Sequence, residues 1–307
     1  MKDSIVKYID TDSVFLHYGR FLSKLGVDFN DRGACVKTCL DIDKRVELVI
    51  KKNCDQISDV MNVDNMFAFE SEELIERLLI PSKKKYIARL AYDKTTGSYL
   101  EDQYIIKGMD FQKSNLSDTI KKFLKETTIK LMDGLTKDEL SDILKEMFYK
   151  MGNMPVEDLS YYQGIKNIQK YDRMSSIQIF GDPISHASVE FPKGIPYHVV
   201  AALVMNKLIV QDRDLSDMST IIDGQKSGLV FVCPDNIFGV KAVAYVGEWN
   251  PKLYEYFKLD VEYMFDRLVL GPLKKIMEVT KSTLTLPDVL GFKFVNADNT
   301  MIQSGLF

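Results

Sequence analysis

Two carboxylates that lie one residue apart, Asp10 and Asp12, form the clearest candidate reactive site in the sequence. They fall in residues 8–13, Tyr-Ile-Asp-Thr-Asp-Ser, between two short runs rich in β-branched and aromatic residues. Carboxylate oxygens suit Mg²⁺, which takes one or two protein carboxylates and completes its coordination with water and substrate phosphates. In a two-metal site the ions lie about 3.5–4 Å apart and stabilise the attacking and leaving oxygens. Because one turn cannot hold both ions well, this chemistry requires a third acidic residue from elsewhere.

An Asp-x-Asp pattern also has simpler explanations. On its own it is more often an ordinary hairpin turn, because Asp side chains hydrogen-bond to nearby backbone. It is also similar to the nucleophile motif of haloacid-dehalogenase-type phosphatases, a fold that needs a helix-bearing insertion and a downstream acidic pair. Residues 13–18 instead continue as an alternating strand, and Gly181-Asp182 is not followed by a fitting second Asp. We therefore disfavour the phosphatase interpretation.

The elements that must position the two aspartates are predicted from periodicity and turn residues. Alternation predicts a hairpin over residues 5–18, with residues 10–12 as its turn. Helical spacing from Val36 to Ile50 predicts one helix or two over residues 32–61, with Asp31 as N-cap. Residues 66–79 are strand-like, and a second hairpin is expected from residues 85–92 and 99–106.

The sequence of the second half of the chain predicts mainly helices with a small β region. Ser114 and Ser117 are N-cap candidates for a helix that ends near Met132, and Thr136 with Glu139 has the spacing of a capping box. Beyond these we predict, in order, a loop-rich region 181–194, a helix 199–207, strands 228–233 and 240–246, and a helix 258–281. Antiparallel hairpins combined with separate helices give an α+β fold class.

Charge is distributed unevenly along the chain. The net charge is −4, which taken alone argues against a nucleic-acid-binding protein. Residues 81–130 nevertheless contain eleven Lys and Arg and six Asp and Glu, a net +5, so the other residues carry −9. No apolar run is long enough to span a membrane, and four cysteines are too few for a disulfide scaffold. We therefore expect no membrane association and a cytosolic location.

The pattern in residues 8–13 resembles the palm motif Tyr-x-Asp-Thr-Asp-Ser of family B DNA polymerases. The resemblance implies that Asp12 is a direct metal ligand and Asp10 a supporting, less essential carboxylate, with Thr11 and Ser13 shaping the turn. It also implies Mg²⁺ as cofactor, in a two-metal site.

A second motif of the same family follows at the expected distance. Residues 83–86, Lys-Lys-Lys-Tyr, resemble the Lys-Lys-x-Tyr motif, which contacts the primer–template near the active site. A run of lysines alone is usually a solvated surface. Its position after the Asp-Thr-Asp-Ser hairpin makes the resemblance specific and implies that Lys83, Lys84, Lys85 and Tyr86 bind DNA.

Further stretches are similar to the thumb of replicative polymerases from T-even phages. Residues 106–114 resemble the start of the thumb, and residues 193–199 and 236–241 resemble later parts of it. The resemblance implies the C-terminal part of a palm over residues 1–107, a mostly helical thumb over 108–295 and a tail over 296–307. Within the thumb, Lys113, Lys193 and His198 are the expected DNA contacts.

Two motifs that the family requires are absent from the 307 residues. Neither Asp-x-x-Ser-Leu-Tyr-Pro, which supplies the other metal-binding aspartate, nor the fingers motif Lys-x-x-x-Asn-Ser-x-Tyr-Gly occurs, and no Asp-x-Glu exonuclease is evident. All three lie upstream of the acidic turn in the family. We therefore expect a split polymerase: an obligate heterodimer in which an N-terminal polymerase chain supplies the rest of the two-metal site, and which uses primer–template DNA and dNTP. As a phage protein it would act in the cytoplasm of an infected bacterium.

The tail carries a possible binding peptide. Gln303, Leu306 and Phe307 form the pattern Gln-x-x-Leu-Phe, which resembles the peptide by which bacterial and phage enzymes hold a sliding clamp. Leu and Phe side chains act as apolar anchors in such complexes. Short motifs of this kind also arise by chance at frayed termini.

Together these patterns predict the C-terminal subunit of a split, phage-type family B replicative DNA polymerase that performs template-directed nucleotidyl transfer. The alternative is a non-catalytic DNA- and sliding-clamp-binding module of a replisome, in which the acidic turn no longer works. The presence of both Asp10 and Asp12 favours the enzyme.

Overall fold

A computed structural model of the chain describes residues 5–10, 13–67 and 69–290. The chain divides into two compact units, Met1–Gly108 and Met109–Phe307. Both combine helices with antiparallel strands, which confirms the predicted α+β class. The assignment of the units to a palm and a thumb stays a prediction. Within the described residues, no helix has the length and apolar character needed to cross a membrane.

The first unit contains an acidic hairpin, a long helix and an antiparallel sheet. Its elements are β1 (Val6–Asp10), β2 (Ser13–Leu16), α1 (Gly19–Lys24), α2 (Arg32–Met61), β3 (Leu74–Ser82), β4 (Lys85–Asp93), β5 (Ser98–Tyr99) and β6 (Tyr104–Lys107). β1 and β2 pair with each other as a two-stranded antiparallel sheet. In the second sheet β4 pairs with β3, β5 and β6.

The helix predicted over residues 32–61 is confirmed, and it is a single helix of 30 residues. It begins where expected, because the Asp31 side chain accepts a hydrogen bond from the backbone N–H of Ala34 at 2.9 Å. Val36 on this helix packs with Leu74 of β3 and Ala91 of β4 in a small buried cluster. This cluster joins α2 to the four-stranded sheet.

Two predictions for the first unit need correction. The strand predicted over residues 66–79 begins only at Leu74. The segment before it is held by α2 instead of by a strand ladder, because the Ser71 backbone N–H donates to Glu47 at 2.8 Å. The predicted pairing of residues 85–92 with 99–106 is present between β4 and β6, but β4 also pairs with β3 across a tight turn at residues 83–84. Lysines are not typical turn residues, so the sequence did not indicate this turn.

The second unit is mostly helical. Its helices are α3 (Asp118–Met132), α4 (Lys137–Met151), α5 (Val156–Leu159), α6 (Ile168–Asp172), α7 (Tyr197–Gln211), α8 (Val261–Phe265), a π-helical turn (Asp266–Leu270), α9 (Gly271–Thr280) and α10 (Leu286–Leu290). Short 3₁₀ turns lie at Asp110–Gln112, Arg213–Leu215 and Pro251–Glu255. Its strands are β7 (Tyr161–Gly164), β8 (Ser176–Gly181), β9 (Ile184–Glu190), β10 (Lys226–Phe231) and β11 (Ala242–Tyr245).

The helix caps of this unit confirm the sequence signals. Ser117 accepts a hydrogen bond from the Ile120 backbone N–H at 3.3 Å at the start of α3. Thr136 and Glu139 form the expected reciprocal capping box on α4. The strands form an antiparallel sheet in the order β11-β10-β7, and the largely buried helix α7 packs against β11.

Two predictions for the second unit were wrong in detail. Residues 181–194 were expected to be rich in loops, but β8 and β9 form an antiparallel hairpin there, with residues 182–183 at its tip. The helix predicted over residues 258–281 is divided into α8, the π-helical turn and α9. Pro272 lies in the first turn of α9, and since proline has no backbone N–H it cannot continue the preceding hydrogen-bond ladder.

Candidate active site and nucleic-acid interface

The predicted acidic hairpin is present, but its pairing extends one residue further than expected, because Asp10 was predicted to lie in the turn. Asp10, the last residue of β1, pairs with Ser13, the first residue of β2. Thr11 and Asp12 lie outside the described residues, so the role of Asp12 stays a prediction. The backbone on either side of the turn nevertheless belongs to a closed antiparallel pair. A hairpin of this kind presents its turn residues at one end of the ladder.

The Lys-Lys-Lys-Tyr segment forms the turn between β3 and β4. Ser82 pairs with Lys85, which leaves Lys83 and Lys84 as the two turn residues, and both are exposed. Lys84 has a φ of 62°, in the left-handed region. Tyr86 follows on β4 and points its half-buried ring toward the acidic hairpin. The turn therefore places two exposed lysines beside an anchored tyrosine.

The two motif-bearing hairpins are in direct contact. The Lys84 backbone N–H donates to the hydroxyl oxygen of Tyr8 at 2.7 Å, although the two residues are 76 apart in the chain. The ring of Tyr86 lies edge-on to Phe15, with centroids 5.1 Å apart, and 6.4 Å from the ring of Tyr8. Aromatic pairs at such distances add to the stability gained from burial alone. The lysine turn and the acidic hairpin are thus held together as one local assembly.

Gly108 is the residue that lets the chain leave β6 beside the lysine turn. It has a φ of +64°, and a Cβ atom placed on it would lie 2.2 Å from the backbone carbonyl oxygen of Lys84. No larger residue fits without moving this backbone. The signal in the sequence is a glycine directly after a strand.

A buried carboxylate, Asp43, anchors the far end of the acidic hairpin and was missed from the sequence. It accepts hydrogen bonds from the Tyr18 hydroxyl at 2.6 Å and the Ser71 hydroxyl at 2.8 Å, and it forms an ion pair with the Lys94 ammonium at 2.7 Å. Burial and the bond to Asp43 raise the pKa of Tyr18 above its usual range. Since Tyr18 closely follows β2, this network fixes the hairpin to α2 and to the turn after β4.

The described residues hold no group of three His, Cys, Asp or Glu side chains that could bind a metal ion. The cysteines Cys35 and Cys39 on α2 are free thiols. The oxygen donors of Asp10 and Asp12 suit Mg²⁺ by their chemistry. Completing such a site requires a further carboxylate from outside the described residues.

The predicted DNA contacts of the second unit are Lys113, Lys193 and His198. Lys113 is exposed and pairs with Asp110 at 2.6 Å, which raises its pKa. Lys193 is exposed in the turn before α7, and His198 is half-buried in the first turn of α7, where burial lowers its pKa. His198 also lies edge-on to the ring of Tyr197, so part of its role is packing. Their binding to DNA stays a prediction.

An arginine ringed by aromatic side chains is a second feature that sequence reasoning missed. The Arg267 guanidinium carbon lies 5.7 Å from the ring centre of Tyr161, 5.6 Å from that of Tyr197 and 4.9 Å from that of Phe231. The guanidinium also donates to the Tyr197 hydroxyl at 3.0 Å. Tyr161 thus packs beside Arg267. Only the tertiary fold brings these four residues together.

Comparison with known proteins supports the resemblance seen in the motifs. No protein-family profile matches the chain. The chain is similar to the DNA-directed DNA polymerase of Escherichia phage RB69, with 24% identity over 288 residues, which is 87% of this chain. The match covers 29% of the phage polymerase. The similarity confirms the resemblance to polymerases of the T-even type and is consistent with a C-terminal portion of such an enzyme.

Proposed function

We propose that this chain is the C-terminal part of the palm and the thumb of a phage-type family B replicative DNA polymerase, active in the cytoplasm of an infected bacterium. The observation that carries the proposal is the contact between the two hairpins, because it joins the Asp-Thr-Asp-Ser and Lys-Lys-Lys-Tyr segments through Tyr8, Phe15 and Tyr86. The similarity to the RB69 polymerase over 87% of the chain supports the same function. The reaction is template-directed nucleotidyl transfer from dNTP to a primer.

Asp12, with Asp10 in support, would hold Mg²⁺ at the end of the acidic hairpin. When bound, the ions would supply Lewis-acid stabilisation of the attacking and leaving oxygens. The described strands β1 and β2 form a closed pair that contacts the lysine turn, and this turn would grip the primer–template. The protein would therefore align the primer end by its contacts with the duplex.

The remaining parts of the polymerase would come from a partner chain, in an obligate heterodimer. The chain spans 29% of the polymerase that it resembles, and its 307 residues lack the Asp-x-x-Ser-Leu-Tyr-Pro and fingers motifs. Among the described residues, β1 and β2 pair only with each other and expose Ile5, Val6, Ile9 and Val14. An isolated two-stranded sheet with an apolar surface is marginally stable in water. A partner that covers it would complete the palm.

The direct test is to reconstitute the complex of this chain with its proposed partner. The partner would be the polypeptide of the same genome that carries the two missing motifs, co-expressed and purified with this chain. We expect primer extension by the pair on primed DNA with Mg²⁺ and dNTP, and none by either chain alone. A pair that binds primed DNA without extending it would instead support a non-catalytic module. Extension by this chain alone would refute the split arrangement.

The lysine turn makes a separate prediction about DNA binding. Each phosphate neutralised by a lysine releases condensed counterions, so the logarithm of affinity falls with the logarithm of salt concentration by about 0.9 per contact. Replacing both Lys83 and Lys84 with Gln should therefore reduce the slope by about 1.8 and weaken binding at low salt. Fluorescence anisotropy with labelled primer–template measures both effects.

The matched control for this prediction is the pair Lys51 and Lys52, two exposed neighbouring lysines on α2. Replacing both with Gln changes the net charge by the same amount and should leave the slope unaltered. If both double variants reduce the slope equally, the lysine turn has no specific contact with the duplex.

We propose a further role for the tail, whose Gln303, Leu306 and Phe307 lie outside the described residues. The tail would bind a sliding clamp that tethers the polymerase to DNA. Deleting residues 303–307 from the reconstituted pair should abolish the increase in product length that the clamp gives. The length synthesised during one DNA-binding event without the clamp should stay unchanged. Measuring product lengths with and without clamp checks this. Equal loss of both activities would indicate a role in folding.

A further inference from the structure

Lys84, in the lysine turn, has a backbone conformation that lysine rarely adopts. Its φ is 62°, and the other described residues besides glycine with a positive φ are Asn62, Asp102, Asn167 and Lys281. Asparagine and aspartate tolerate this region because their short polar side chains hydrogen-bond locally, whereas lysine has no such compensation. Glycine or asparagine usually occupies a turn position with a positive φ. A lysine here therefore costs stability that the surrounding structure must offset.

Lys281, the other left-handed lysine, has a local explanation. It directly follows α9, and its backbone N–H donates to the carbonyl oxygens of Glu278 and Met277. Such bonds satisfy carbonyl groups that the end of every helix leaves open. Lys84 instead lies in a hairpin turn, where residues far away in the chain contact its backbone.

Two distant residues approach the Lys84 backbone from its two ends. The Tyr8 hydroxyl accepts a hydrogen bond from the Lys84 N–H at 2.7 Å. At the carbonyl end, Gly108 comes so close that a Cβ atom on it would lie 2.2 Å from the Lys84 oxygen. The half-buried ring of Tyr8 is itself packed, with centroid distances of 5.7 Å to Phe15 and 6.4 Å to Tyr86. The hydroxyl is thus presented by a fixed ring, and the turn has little freedom to change shape.

We propose that Tyr8 is a positioning residue, whose hydroxyl, with Gly108 on the other side, holds the lysine turn in one strained conformation ready to contact the phosphates of primer–template DNA. The inference rests on the proposed DNA-binding role of the lysine turn and adds the residues that set its shape. A turn that already has its bound shape loses less conformational freedom on binding, so its affinity for DNA is higher. Both turn lysines are exposed, as contact with DNA requires.

The first test removes only the Tyr8 hydroxyl. Tyr8→Phe keeps the ring and should weaken binding of primer–template by the full chain about fivefold, the effect of one ordinary hydrogen bond. In a chain that also carries Lys83→Gln and Lys84→Gln, the same change should have no effect, because the lysines that it positions are absent. Fluorescence anisotropy with labelled primer–template measures the four affinities of this cycle.

The matched control for Tyr8 is Tyr99→Phe, at a tyrosine of β5 that is 52% exposed, and it should leave the affinity unchanged. Unaltered affinity of Tyr8→Phe would overturn the inference. Equal losses with and without the two lysines would also overturn it, because Tyr8 would then act on DNA by a route other than the lysine turn.

The second test separates strain from charge at position 84. Lys84→Gly and Lys84→Gln remove the same charge, but only glycine relieves the left-handed conformation. Lys84→Gly should therefore slow amide hydrogen exchange in β3 and β4 about threefold relative to Lys84→Gln, while both variants bind primer–template more weakly than the parent. Exchange that is equal or faster in Lys84→Gly would show that no strain is held at this position and would contradict the proposal.

Lys281 supplies the matched control for the second test. Lys281→Gly removes the same charge at the other left-handed lysine and should leave affinity for primer–template unchanged. If Lys281→Gly weakens binding as much as Lys84→Gly, the loss reflects net charge and the lysine turn has no special role.

Failure of the positioning role and failure of the proposed function give different results. A reconstituted pair that extends primers, together with a Tyr8→Phe chain that binds DNA like the parent, contradicts the positioning role alone. A cycle in which the effect of Tyr8→Phe depends on the two lysines, together with a pair that does not extend primers, contradicts the proposed function alone. If neither the full chain nor the pair binds primer–template, both are contradicted.

Discussion

In the reconstituted pair, replacing Asp12 with Ala is expected to lower primer extension at least about 1,000-fold, which corresponds to about 4 kcal/mol of lost transition-state stabilisation. The physical reason is that Asp12 would be the direct ligand this chain contributes to the metal site. Rates under single-turnover conditions measure the loss. Affinity for primer–template should remain within about threefold of the parent, because the proposed contacts with the duplex are made by the lysine turn and not by Asp12.

Two control variants test whether the loss of primer extension is specific to Asp12. Asp10→Ala should cost only roughly tenfold in rate, as expected for a supporting carboxylate. Asp41→Ala removes an exposed carboxylate from α2 and should have no effect. If Asp12→Ala extends primers at the parent rate, the acidic turn does not carry the chemistry and the proposed role of Asp12 is wrong.

The second large effect concerns Asp43. Replacing it with Ala removes the shared acceptor of Tyr18, Ser71 and Lys94 and leaves three partly buried donors without this partner. We expect the free energy of unfolding of the first unit to fall by about 3 kcal/mol, in the range for breaking a buried ion pair. Because amide hydrogen exchange reports the stability of individual elements, exchange within α2 and β4 is the appropriate measurement.

Milder variants measure how much of the loss of stability comes from individual contacts of Asp43. Tyr18→Phe removes one hydrogen bond and should cost about 1 kcal/mol. Asp41→Ala, on the same helix but exposed, should change stability by less than about 0.5 kcal/mol. A loss below about 1 kcal/mol for Asp43→Ala would show that the network does not anchor the acidic hairpin.

Local features of the fold were predictable because their causes are local in the chain. The acidic hairpin follows from alternation on both sides of an Asp-rich turn, and α2 follows from Asp31 and helical spacing. The capping box of Thr136 and Glu139 likewise needs only four residues to form. In each case the determining residues are neighbours in sequence.

Features that depend on residues far apart in the chain could not be predicted from the sequence in this way. The contact of Tyr8 with the lysine turn joins positions 76 apart, and the Arg267 cluster gathers rings from three separate strands and helices. The requirement for glycine at position 108, set by the close approach of the Lys84 carbonyl, exists only in the folded chain. The hairpin of β8 and β9 was missed for a different reason, since its pairing is local in the chain but neither strand has a buried residue.

The measurement that tests the central claim most directly is the structure of the reconstituted pair with primer–template, Mg²⁺ and an unreactive dNTP analogue. The proposal predicts that Asp12 and the aspartate of the partner's Asp-x-x-Ser-Leu-Tyr-Pro motif hold the same metal ions beside the primer end. It also predicts the lysine turn on the duplex backbone. A structure in which Asp12 lies in solvent, away from metal and primer, would contradict the claim.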